Sequence, residues 1–187
     1  MTDKERLDLM MATNLSEIVK EDFLNWLAEN GFFTAPASTK YHGNYEGGLF
    51  DHSFMVMNLL VELSAANGLK WKRSESPFLV GMFHDLCKID QYKHPATGMT
   101  ADNEPIYDPM AWEYNNDTMY RGHGDKSIIL LSQFTTLTDE ETACIRYHMG
   151  AFTEKEEWRG YTRAVHAFPN VLWTHQADML ASHVVGI

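Results

Sequence analysis

Four positions in this chain combine residue types and spacing suited to holding a metal ion: His52, the adjacent pair His84 and Asp85, and Asp178. Neutral imidazole and carboxylate are favoured ligands for divalent transition metals, and a site built between helices draws them from distant points in the sequence. Two neighbouring helical residues diverge by about a hundred degrees at 3.6 residues per turn, yet both can reach one ion lying between helices. Asp85 also shares an apolar helical face with Phe78 and Met82. A carboxylate there is costly unless it is neutralised, and a metal is one common way to neutralise it. The His-Asp dipeptide carries little by itself, because chance produces it often.

The elements that must position these residues follow from apolar spacing. Residues 3 to 30 carry Leu7, Met10, Phe23 and Leu27 in helix-like clusters, and Gly31 is placed to end the second. Glycines gather from Tyr41 to Gly48, which predicts tight backbone turns leading straight into His52. Val56, Leu59, Leu60 and Leu63 then recur at helical intervals. His52 lies one turn before Val56 on that stripe, so its ring is expected to point inward. Ser76 as cap and Pro77 at the first position open a helix carrying Phe78, Leu79, Met82, Phe83 and Leu86. A polar stretch follows, an irregular insert over 90–121 with room for a short hairpin around Trp112 to Tyr114; such inserts are often lids or binding loops. Asp125 can cap a helix with Ile128 and Leu130. Thr138 and Glu141 make a capping box for another, with His148 in its last turn. Pro169 can open a final helix on which Val171, His175, Asp178 and Ser182 share a face. Nothing reads as a β-strand of any length. The expected class is all-α, a single helical domain over residues 1–187 with an N-terminal layer, 1–40, and a core over about 41–182.

Bulk properties narrow the partners. With 15 basic against 26 acidic residues the net charge is -11, which disfavours long nucleic acid and anionic membranes. Two cysteines, Cys87 and Cys144, without metal-finger spacing fit a reducing compartment, and the cytoplasm is the default. No signal pattern and no run of apolar residues long enough to span a bilayer is apparent. Oligomeric state is not encoded visibly.

The wider pattern is specific. The run Glu46-Gly47-Gly48-Leu49-Phe50-Asp51-His52-Ser53, then Phe83-His84-Asp85-Leu86-Cys87-Lys88, then Ala177-Asp178, resembles the HD superfamily of metal-dependent phosphohydrolases, in its small bacterial and phage branch. That resemblance implies a helical HD-domain bundle and an enzyme. It implies His52, His84, Asp85 and Asp178 as ligands of one ion. Gly122-His123-Gly124 and Arg146-Tyr147-His148 look like the two further histidines of two-metal members, so Asp85 would bridge to a second ion held with His123 and His148. The implied reaction is attack of a bridging hydroxide on phosphorus, with Asp85 and Lys88 as catalytic residues. Lys88, similar to the family's lysine, would hold a phosphate oxygen. His42, in the Gly-rich loop, and Lys126, at a helix start, are further anion-binding candidates. His and carboxylate ligands suit Mn, Fe, Co, Ni and Zn, and Mg is a further option, so one or two divalent ions are expected without a fixed identity.

The expected substrate is a small phosphate ester such as a nucleotide. A 3'-5' exonuclease or phosphodiesterase on short oligonucleotides, and a di-iron HD oxygenase, are the alternatives that the same ligand order allows. His175 is expected beside the ligands rather than among them, Cys87 as a small core residue, and Arg146 in a surface ion pair. His94, His166 and His183 are read as ordinary surface or packing residues, and the acidic runs 139–141 and 154–157 as a cap and a solvated face.

Overall fold

The structure is a computed structural model in which residues 1–120 and 122–187 are described; Arg121, the last residue of the insert, lies outside them. Among the described residues, eight α-helices dominate and strands form only two short antiparallel pairs, so the fold is all-α.

Helix α1 (Asp3–Met11) opens on a capping box between Thr2 and Glu5, and α2 (Glu21–Glu29) is followed by Gly31 at φ 85°. Their buried Met10, Phe23 and Leu27 cover one side of the core, where the Phe23 ring lies 5.1 Å from Phe83, next to His84. The long α3 (Gly48–Asn67) carries His52 and packs against α4 (Ser76–Phe83) and α8 (Asn170–Leu180). Gly81 allows the first of these contacts. A Cβ there would collide with the Met57 backbone, so glycine lets α3 and α4 approach closely enough for His52 to meet His84. The same device joins α5 (His123–Leu131) to α6 (Asp139–Arg146): Gly124 lies against the main chain of Ile145 and Arg146, which sets His123 near His148. Helix α7 (Trp158–Ala167) lies against α8.

Several local expectations need correction. The insert holds β-structure: β1 (Tyr92–Lys93) pairs with β4 (Glu113–Tyr114), and β2 (Ala96–Met99) with β3 (Pro105–Tyr107). The pairing is therefore not a hairpin centred on Trp112 to Tyr114; Glu113 and Tyr114 close a ladder with Lys93 and Tyr92. Ser76 does not cap α4, because its hydroxyl donates to Glu141 instead, at 2.8 Å. Asp125 does not cap α5, which starts at His123 after Gly122; its carboxylate accepts from Arg146 at 2.7 Å. Nor are His84 and Asp85 both helical. The α-helix stops at Phe83, Asp85 adopts φ -103° and ψ 19°, and a 3-10 turn runs over Leu86–Asp90. His148 likewise lies just past α6, which ends at Arg146.

The cap at Thr138 is present as expected, and Glu140 and Glu141 behind it are buried. Glu141 accepts from Arg73 Nε at 2.7 Å, from the Ser76 hydroxyl and from the Thr138 N–H, so one carboxylate ties α6 to the start of α4. Burial alone would raise its pKa; those three donors outweigh it and the net shift is downward. A depressed folded pKa stabilises above the unfolded carboxylate's range and is lost as pH falls through the folded value. Glu141→Gln is expected to cost about 2–3 kcal/mol at neutral pH, below the full cost of breaking a buried pair because Arg73 is partly exposed. Urea denaturation should show that gap narrowing below about pH 4; a gap independent of pH would contradict it.

Candidate metal centre

Two short helices stop where chemistry begins. The last turn of an α-helix leaves carbonyls without intrahelical partners. After α4, His84 turns its ring back so that Nδ1–H donates to the Gly81 carbonyl at 2.8 Å; after α6, His148 does the same to Ile145 at 2.7 Å. His52, near the start of α3, is held through Nδ1 by the Ile187 main-chain oxygen at 2.9 Å. Each ring thus carries a proton on Nδ1, and in the neutral imidazole Nε2 keeps its lone pair. All three side chains are fully buried, and the three Nε2 atoms have no hydrogen-bond partner.

Those nitrogens surround Asp85. Its Oδ2 lies 3.6 Å from His52 Nε2, 3.5 Å from His84 Nε2 and 2.6 Å from Lys88 Nζ. Its Oδ1 faces the other way, 2.7 Å from His123 Nε2 and 3.4 Å from His148 Nε2. Asp178, on α8, brings Oδ1 to 3.3 Å from His52 Nε2 and 4.0 Å from His84 Nε2, and the Ser182 hydroxyl donates to it at 3.2 Å. Donors bound at about 2.0–2.2 Å to one ion stand roughly 3–3.5 Å apart, and the pairs His84–Asp85, His148–Asp85 and His52–Asp178 have that spacing.

The six residues that the resemblance implied as ligands therefore meet at one place. They form overlapping groups: His52, His84 and Asp85; His84, His148 and Asp178; Asp85, His123 and His148. Each offers donor atoms within 4.8 Å of one another. A buried cluster of this composition could hold a metal ion, and the unpartnered Nε2 atoms are what an ion would satisfy.

Charges of both signs meet in the cluster. Burial alone would neutralise Asp85, but Lys88, His84 and His123 outweigh it and hold the carboxyl well below its ordinary range. Asp178 is held below its ordinary range as well, its burial outweighed by the imidazoles around it. Burial pushes His84 down to about 3, leaving a neutral imidazole suited to ligation. His123 moves the opposite way, to about 10: burial opposes its charge, while Cys87 and Asp85 favour it.

A cavity of about 490 Å³ opens onto the cluster, lined among others by Asp85, Lys88, His42, His123 and Asp178. His42 stands over His52 with ring centres 4.9 Å apart, and burial lowers it to about 4. Lys126 is elsewhere. It is buried, ion-paired to Asp90, and borders a separate cavity of about 280 Å³. The insert supplies Tyr92 and Tyr114 to the larger cavity's wall, rings 5.3 Å apart, while His94 stacks on Trp112 at 3.9 Å. His175 remains outside the ligand groups, bonded through Nδ1 to the His148 carbonyl at 2.8 Å. Cys87 is more than core filling: its Sγ lies 3.6 Å from His123 Nδ1. Its place two residues past Asp85 was the only sign of this in the sequence.

Compared with family models, with curated proteins and with solved structures, the chain matches none of them. The site's chemistry therefore rests on its own geometry.

Saturation with a divalent ion at a hundred times Kd is expected to add about 2.7 kcal/mol to stability. For a chain of this size that is roughly 5–10 °C in Tm. Thermal unfolding with and without Mn²⁺ measures it. Asp85→Asn should abolish the shift and the exposed His166→Ala should keep it; an equal shift in both would contradict the cluster as the binding site.

Proposed function

We propose that this protein is a metal-dependent phosphohydrolase acting on a small phosphate ester such as a nucleotide. The observation that carries the reading is the ring of unpartnered Nε2 atoms on His52, His84 and His148 around the two oxygens of Asp85, a residue that itself lines the cavity. In this reading His52, His84, Asp85 and Asp178 hold one ion, and Asp85, His123 and His148 hold a second. Bound divalent ions at such a site supply a water-derived nucleophile at neutral pH and neutralise phosphoryl oxygens.

The chain's own residues do the rest. Asp85 fixes both groups of ligands, and the carbonyl-bound imidazoles keep their lone pairs aimed inward. Lys88 borders the cavity as an ammonium: burial would lower its pKa, but the Asp85 carboxylate raises it further. It is placed to hold a phosphate oxygen, with His42 beside it as a neutral hydrogen-bonding group. The cavity, about 490 Å³, is of the size that takes a small ligand. A net charge of -11 works against long polyanions, which favours a mononucleotide-sized ester over an extended strand.

The test is phosphate release from nucleotides, cyclic nucleotides, sugar phosphates and short labelled oligonucleotides with Mn²⁺, Fe²⁺, Co²⁺, Ni²⁺ or Mg²⁺. Turnover of a small ester is expected, and Lys88→Ala should lower kcat/KM by about 10²–10³, the usual cost of removing one donor to a developing charge. Inactivity with every metal would sink the reading. Preference for oligonucleotides over mononucleotides would move it to a phosphodiesterase.

A further inference from the structure

The four histidines of the cluster are not held alike. His52, His84 and His148 are bonded through Nδ1 to main-chain oxygens, which no side-chain substitution removes, and all three are fully buried. His123 is the exception. It is the first residue of α5, its side chain is 27% exposed, and its Nδ1 faces only the thiol of Cys87, at 3.6 Å.

That thiol is itself built into place. The Cys87 N–H donates to the Ser127 hydroxyl at 2.9 Å, and the same hydroxyl donates to the His123 carbonyl at 3.3 Å. Ser127 is fully buried, and Cys87 nearly so. Cys87, Ser127 and His123 therefore form a closed, sheltered loop in which the sulfur can meet only one side of one ring. When Nε2 gives its lone pair to a metal, the proton resides on Nδ1, and sulfur is the acceptor that faces it.

We propose that Cys87 is a positioning residue that sets how tightly the ion on the His123 and His148 side of Asp85 is held, without acting on the ion held by His52, His84 and Asp178. The inference rests on the two-ion reading above. Sulfur is a weaker acceptor than a carbonyl oxygen, so the His123 side is the more weakly held of the two. The protein then loads metal in two steps, and its second ion is the exchangeable one.

The experiment is a Mn²⁺ titration of chelator-stripped protein, with free Mn²⁺ followed by electron paramagnetic resonance and bound metal by elemental analysis. Wild type should bind two ions in two resolved steps. Cys87→Ala should leave the tight step unchanged and weaken the second by about 10–100-fold, the usual effect of losing a group that orients a ligand. His123→Ala should lose the second step, and Cys87→Ser, which restores an acceptor, should recover it. The unchanged tight step reports that each variant is folded. Wild-type behaviour of Cys87→Ala, or equal weakening of both steps, would overturn the proposal. So would a wild type that takes one ion only, which leaves the metal reading standing; a wild type that takes none sinks the metal reading itself.

Discussion

Everything around the site depends on one buried carboxylate. Asp85 is only 2% exposed and ionised, and an isolated charge at that depth would cost several kcal/mol. The chain meets that demand with Lys88 on one oxygen and His123 on the other, and surrounds both with imidazoles. Removing either oxygen's partners would leave a charge stranded in the core. The α-helix stops at Phe83, and with Asp85 off it, at φ -103°, one oxygen faces His52 and His84 and the other faces His123 and His148.

The imidazoles are positioned by backbone. Ending α4 and α6 early frees a carbonyl for the ring of His84 and of His148, so helix termination and ligand orientation are one event. Gly81 and Gly124 then bring the two pairs of helices close enough for the rings to meet. The rings are thus oriented by the backbone itself, and an ion bound there would inherit that arrangement. The less buried His123, fixed through side chains, is where that preorganisation is weakest.

Much of this was legible in the chain. Helical spacing placed α3 and α8, the Thr138 and Glu141 box marked α6, and Gly31 ended α2, because each signal is local. Convergence of the six His and Asp residues came from a motif resemblance, since spacing alone cannot say which distant helices pack together. The β1–β4 pair was missed for a physical reason: its strands are two residues each, too short for alternation to register, and they join positions 20 and 22 apart. Apolar periodicity running on through Leu86 concealed the helix stop before Asp85. Ser76 looked like a cap because its type suits one; its actual partner, Glu141, lies 65 residues away and leaves no local sign. The role of Cys87 was likewise hidden, because it depends on where α5 begins.

The two oxygens of Asp85 face opposite groups of nitrogens, and the reading proposed here is that one carboxylate serves two ions. Anomalous scattering from crystals grown with Mn²⁺ tests it most directly. Two peaks about 3.5–4 Å apart are expected, one on each side of Asp85. No peak at the cluster, or metal bound only away from Asp85, would contradict it.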